Sequence, residues 1–124
     1  MSTEDKTEPE QERVRAALTD WWTDQSHAEM EACVPKAVEY GSTDLAVIGR
    51  AQGRLMGRHD LTHEEATEMG IYFYLIGKLA RWEDAIIHGR RVSDDTLHDA
   101  SVYIKMQQRN RAVGGWPFAP KEDS

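Results

Sequence analysis

Apolar residues recur at intervals of three and four positions along most of the chain, and turn or cap residues separate these stretches. Such spacing places apolar side chains on one face of a helix, whereas a half-buried strand requires strict alternation. The pattern predicts an all-α protein, a compact bundle of about four to five helices. We expect a single helical domain at residues 9–113, between a flexible N-terminal tail (1–8) and a C-terminal tail (114–124).

The first two predicted helices occupy the region before Gly41. One begins near Pro9, because proline favours the first helical turn. The second begins at Ser26, which has Glu29 three residues later in the spacing of a capping box, and it ends at Gly41. Pro35 is expected to kink this second helix.

A third helix is expected over the stretch DLAVIGRAQGRLMG (44–57), after a cap at Ser42 or Thr43. Its expected apolar anchors are Leu45, Ile48, Leu55 and Met56. Gly49 and Gly53 lower the intrinsic stability of such a helix. The same two glycines permit another helix to approach closely.

The longest predicted helix begins at a capping box formed by Thr62 and Glu65 and ends at Gly89. Ser93 is the expected cap of the last helix. That helix is predicted to end at residues 114–115, where two glycines follow one another.

Both of these helices align carboxylates with apolar side chains. At about 100° per residue, the long helix has one stripe that we expect to face the core: Glu65, Glu68, Met69, Tyr72, Ile76, Leu79, Glu83 and Ile86. On the last helix the aligned residues are Asp95, Asp99, Val102, Tyr103 and Met106. Buried carboxylates are unfavourable unless they are paired or bind a cation, so one interpretation is a Mg²⁺ ion held between the two helices. In the other interpretation Asp94 and Asp95 complement the helix dipole, while Asp99 pairs with an arginine such as Arg90 or Arg91.

The composition narrows the choice of partners and compartment. A formal net charge of -7 argues against strong binding to nucleic acid and fits a metal or a cationic partner better. Cys33 is the only cysteine, which excludes an intrachain disulfide and suits the reducing cytoplasm. No apolar run is long enough for a membrane span, and MSTEDKTEPEQE lacks the pattern of a signal peptide. The expected location is therefore cytoplasmic, without a membrane partner.

Two motifs resemble a family of enzymes. The ExxE motif at residues 65–68 and the DxxxD motif at residues 95–99, followed by Tyr103, look like those of the all-α nucleoside triphosphate pyrophosphohydrolases of the MazG type. GKLAR (77–81) and DDTLHDASVY (94–103) are similar to small phage-associated relatives. The likeness spans about half the chain, and it departs from the better-known members in having DxxxD where they have ExxD. It implies a Mg²⁺-dependent enzyme that cleaves a nucleoside or deoxynucleoside triphosphate into monophosphate and pyrophosphate.

The resemblance also implies roles for particular residues. The implied metal ligands are Glu65, Glu68, Asp95 and Asp99, with Glu65 and Asp99 catalytic. The implied substrate-binding residues are Lys78, Arg81 and Tyr103. On the structural interpretation, Lys78 and Arg81 balance Glu83 or Asp84, and Tyr103 belongs to the core. Homo-oligomers are common in the resembled family, and we expect one here.

Two other functions are compatible with the sequence. His59-Asp60 and His98-Asp99 spell the dipeptide of HD-type metal phosphohydrolases, although a dipeptide is a weak signal. The non-enzymatic alternative is a helical module that binds nucleotides or other proteins without turnover. Its C-terminal segment, which contains Trp116 and Phe118, either folds back or contacts another subunit.

Overall fold

A computed structural model describes residues 7–40 and 43–121 of the chain. Four helices follow one another: α1 (Glu8–Tyr40), α2 (Thr43–Leu55), α3 (His63–Ile87) and α4 (Asp94–Val113). The described residues contain no strand, which confirms the predicted all-α class. Within the described part of the chain, no helix combines the length and apolar character needed to cross a membrane.

The chain divides into two compact units, Met1–Val34 and Pro35–Ser124. The boundary lies inside α1, between Val34 and Pro35. Proline lacks the backbone N–H group and so removes one helical hydrogen bond at this point. The expectation of one domain over residues 9–113 stays a prediction.

Helix α1 merges the first two predicted helices into one. Reciprocal bonds cap its start: Glu10 N donates to Thr7 Oγ1 (3.3 Å), and Thr7 N donates to Glu10 Oε1 (3.2 Å). The expected helix start at Ser26 is wrong, because Ser26 lies in the interior of α1. No glycine or proline lies between Pro9 and Ser26 to interrupt the helix, and a capping-box spacing alone does not break one. The predicted stop at Gly41 lies outside the described residues, as does Ser42.

Helices α2 and α3 approach each other at two glycines. A Cβ atom on Gly49 would collide with the carbonyl oxygen of Ala66, and one on Gly70 would collide with that of Leu45. The predicted close helix contact is therefore confirmed at Gly49.

The expected anchors of α2 are only partly correct. Leu45 is buried, and Ile48 is half-buried. Leu55 and Met56, in contrast, are 83% and 69% exposed. Helix α2 ends at Leu55 and the chain turns at Gly57, so the last two anchors lie beyond the contact with α3.

The predicted caps of α3 and α4 are confirmed. Thr62 Oγ1 accepts from Glu65 N (3.1 Å), and Glu65 Oε1 accepts from Thr62 N (3.0 Å), which completes the capping box. Ser93 Oγ accepts from Thr96 N (3.1 Å) at the start of α4. That helix ends at Gly114, whose φ of 81° belongs to the left-handed region that glycine tolerates.

Helix α3 is central to the core of the second unit, because one of its faces packs against both α2 and α4. Its buried face consists mostly of small residues: Ala66, Thr67, Gly70, Ile71 and Ala85. The stripe containing Glu65, Tyr72 and Ile76 lies on the opposite side and is exposed. The expectation that this stripe faces the core is therefore wrong. Small residues let the neighbouring helices approach closely, and the carboxylates remain in water, where their solvation is most favourable.

Candidate functional site between two helices

A cluster of four side chains connects α3 with α4, and we call it the α3–α4 polar cluster: Tyr74, Lys78, Asp99 and Tyr103. Lys78 Nζ lies 3.2 Å from Asp99 Oδ2. The rings of Tyr74 and Tyr103 stack with their centroids 5.8 Å apart and their planes within 4°. Each helix contributes a tyrosine and a charged residue spaced by four positions, so both lie on one face of that helix. The contact between the two helices therefore contains one ion pair, Lys78–Asp99, and one stacked aromatic pair, Tyr74–Tyr103, about one helical turn apart.

The cluster is partly open to solvent. The side chains of Lys78 and Asp99 are 21% and 42% exposed. The pKa of Tyr103 is raised, mainly by burial and further by the negative charge of Asp99 and by Tyr74. Tyr103 therefore keeps its phenolic proton at neutral pH. The cluster offers an ammonium group, a carboxylate and a phenolic hydroxyl at one point on the helix pair.

The partner of Asp99 differs from the one expected in the structural interpretation. Asp99 pairs with Lys78 of α3, and Arg90 instead pairs with Asp84. The expectation of an arginine partner for Asp99 is wrong, since the cation comes from the neighbouring helix. Asp95 is exposed in the first turn of α4, where a negative charge complements the helix dipole.

Glu65 serves as the capping residue of α3. Besides its capping bonds, its Oε1 lies 3.4 Å from Nη2 of Arg58. The hydrogen bond from the backbone N–H of Thr62 is the main cause that lowers the pKa of Glu65. Its carboxylate therefore stays charged at neutral pH and stabilises the start of the helix.

The antiparallel arrangement of α3 and α4 separates the predicted metal ligands. Asn110, near the end of α4, donates from Nδ2 to the carbonyl oxygen of Glu64 (3.1 Å), whereas Asp99, near its start, meets Lys78. At 1.5 Å per residue, Glu65 lies about 20 Å along α3 from Lys78, and Glu68 lies about 15 Å from it. Within one chain, Lys78, Asp99 and Tyr103 therefore lie together. The glutamates of the ExxE motif, in contrast, lie far from the aspartates of the DxxxD motif.

Among the described residues, no group of three or more His, Cys, Asp or Glu side chains is arranged to hold a metal ion. The four-carboxylate set therefore does not fit one Mg²⁺ ion within a single copy of the chain. That each of these carboxylates binds a metal ion stays a prediction. Arg81, predicted to bind substrate, is exposed on the turn that follows Lys78.

The sequence analysis does not predict two residues that connect α3 with α4, Tyr74 and Asn110. Tyr74 lies on the face of α3 opposite the stripe that the sequence predicts to be buried, and its four-residue spacing from Lys78 is the available signal. Asn110 is fully buried, and its Nδ2 also donates to Gln107 Oε1 (3.0 Å). Its position seven residues after Tyr103 was the available signal, because that spacing keeps both on one helix face.

The C-terminal segment folds back on α4, and its contact with another subunit stays a prediction. Arg109 Nε donates to the carbonyl oxygen of Pro117 (3.0 Å). The guanidinium of Arg109 also lies 5.3 Å from the centre of the Phe118 ring, within range of a cation–π interaction.

Fold and cluster together define an all-α protein with a partly exposed lysine–aspartate pair between two antiparallel helices. Comparison of the chain with protein-family models, with curated proteins and with solved structures found no match.

Proposed function

We propose that this chain is a helical protein-interaction module that associates with further copies of itself through exposed apolar faces. One observation carries the proposal: the described part of the chain buries five apolar residues, and three of these are alanines. Large apolar side chains meanwhile remain exposed on α1 and on α3. Hydrophobic burial is the main favourable contribution to folding and to association, so these faces gain stability when another protein surface covers them.

The exposed aromatic residues support the same proposal. Trp21 and Trp22 are more than half exposed on α1, and their rings meet edge to face with centroids 5.7 Å apart. Tyr72 and Phe73 are about half exposed on α3. Aromatic residues are enriched in the centres of protein interfaces, because they bury a large area at a small loss of side-chain entropy.

Sedimentation velocity over a wide range of protein concentrations tests this function. We expect a mass that rises towards a multiple of the 14.1 kDa chain mass. The melting temperature should rise with protein concentration as well, because association stabilises only the folded chain. A monomer at every concentration would contradict the proposal.

The second candidate function is nucleoside triphosphate pyrophosphohydrolysis, and the α3–α4 polar cluster favours it. Lys78, Asp99 and Tyr103 converge from two helices, and the resemblance gives each of them a part in the reaction. In that reaction water attacks the α-phosphorus, the bond to the bridging oxygen breaks, and pyrophosphate leaves. A lysine ammonium is a suitable partner for phosphate oxygens.

Incubation with Mg²⁺ and each common triphosphate, followed by product analysis, tests the second candidate. The expected products are monophosphate and pyrophosphate, and Asp99→Asn should suppress them while the circular dichroism of the helices is preserved. The matched control is Asp84→Asn, which changes an exposed carboxylate on the same helix as Lys78 and should leave the activity unchanged. Release of inorganic triphosphate would favour the HD-type alternative, and calorimetric binding without products would favour a non-catalytic nucleotide-binding protein.

A further inference from the structure

The outward side of α3 carries an apolar surface that we call the outer α3 stripe: Tyr72, Phe73, Ile76, Leu79, Ile86 and Ile87. These residues recur at helical spacing and lie opposite the face that packs against α2 and α4. On the basis of the proposed interaction function, we infer that the outer α3 stripe is the surface on which a second copy of this chain packs.

The area of the stripe suits a dimer. A large apolar or aromatic side chain offers on the order of 150–250 Å² when fully open, so the four members within about one turn of Ile76 (Tyr72, Phe73, Ile76 and Leu79), which are about half exposed, offer on the order of 350 Å². A specific interface buries at least about 500 Å² on each partner, and the centre of a homodimer interface is about 65% apolar. An apolar area of that size, with a polar margin, reaches this lower bound. It also lies within the range of the largest apolar patch on a typical monomer.

The order of residues along the stripe suits a two-fold axis at Ile76. Tyr72 precedes Ile76 by one turn, and Leu79 follows it by almost one turn. In an antiparallel contact the tyrosine of each copy then meets the leucine of the other. The only charged residue between Tyr72 and Leu79 is Lys78, which turns away to Asp99. The centre of the contact therefore buries no unpaired charge.

The carboxylates at the margin favour two α3 helices that cross at a steep angle over two that lie alongside each other. Glu68 and Glu83 lie about two turns on either side of Ile76, so a two-fold axis brings them towards each other. The commonest helix packing crosses at about 50°, which separates residues two turns from the crossing point by about 10 Å or more. That separation is comparable to the Debye length of about 8 Å at physiological salt, so the repulsion is largely screened. The self-contact should accordingly hold or tighten as salt is added, whereas a contact with a basic partner protein would weaken.

The test measures the mass of the full chain and of Ile76→Glu by sedimentation velocity, at low and at high salt. The wild-type chain should form a dimer that added salt does not weaken, and Ile76→Glu should be a monomer, because a carboxylate would be buried at the two-fold axis. Leu55→Glu is the matched control: Leu55 is 83% exposed on α2, away from the stripe, and its replacement should leave the dimer intact.

A cross-linking variant keeps the inference testable if Ile76→Glu does not fold. In a Cys33→Ser background, Ile76→Cys should oxidise to a disulfide-linked dimer, since helices crossing at this residue bring the two Cα atoms within disulfide range. Leu55→Cys in the same background should stay monomeric under denaturing conditions. A dimer that survives Ile76→Glu, together with an Ile76→Cys variant that forms no cross-link, would overturn the assignment to α3, while the interaction function would stand. A strictly monomeric wild-type chain would overturn the interaction function itself.

Discussion

Lys78 Nζ on α3 lies 3.2 Å from Asp99 Oδ2 on α4, and this ion pair joins residues that are 21 positions apart in the chain. Because both side chains are partly exposed, the pair resembles a surface salt bridge more than a buried one. We predict a coupling free energy of about 0.5–1 kcal/mol in a double-mutant cycle with Lys78→Met and Asp99→Asn, measured by urea unfolding.

The more exposed pair of Arg90 and Asp84 provides the comparison for this cycle. Its coupling should be smaller, between about 0 and 0.5 kcal/mol, because water screens it more fully. An equal or larger coupling for the exposed pair would show that the position of Lys78 and Asp99 between two helices adds nothing to their interaction.

The close approach of α2 and α3 predicts opposite effects for two glycine substitutions. Gly49→Ala should lower the free energy of unfolding by about 2–3 kcal/mol, because its methyl group would collide with the backbone of Ala66. Gly77→Ala should raise it by about 0.5–1 kcal/mol, since a Cβ atom at Gly77 meets no atom within 4 Å and alanine is the better helix former. Chemical unfolding of both variants measures the difference, and equal effects would contradict the described helix contact.

The buried amide of Asn110 should contribute to stability through its hydrogen bond to the backbone of Glu64. Asn110→Ala removes this donor and opens a small cavity, so the free energy of unfolding should fall by about 1–3 kcal/mol.

Asn110→Asp separates the loss of packing from the loss of the donor, because aspartate has almost the same shape. Burial raises the pKa of such a carboxyl group, and its protonated form regains a donor. The variant should therefore recover stability as the pH falls towards the folded-state pKa. Unfolding midpoints that show no such recovery would mean that packing alone explains the role of Asn110.

The raised pKa of Tyr103 predicts a loss of stability in alkaline solution. Above the ordinary tyrosine pKa of about 10, the unfolded chain releases this proton while the folded chain retains it, so the free energy of unfolding falls as the pH rises. Below that pH the group adds no pH dependence. Urea unfolding across this range should show a smaller decline for Tyr103→Phe, and Asp99→Asn should also reduce it, because the charge of Asp99 contributes to the shift. An identical decline in the wild-type chain and in Tyr103→Phe would contradict the burial of this hydroxyl.

Local sequence determined the helical class and the ends of α3 and α4. The bonds between Thr62 and Glu65, the cap at Ser93 and the left-handed glycine at 114 act over three or four residues, so local sequence is enough to predict them. Tertiary packing decided which face of α3 is buried. A hydrophobic stripe and a stripe of small residues shared that helix, and the small residues were buried because Gly49 and Gly70 let backbones meet. As a result Tyr72 and Ile76 lie in solvent, Tyr74 and Lys78 meet Tyr103 and Asp99, and the ExxE glutamates lie far along the helix from the aspartates of α4. The spacing of residues determines which side chains share a face of a helix. Which neighbouring residues that face contacts is decided only when the helices pack.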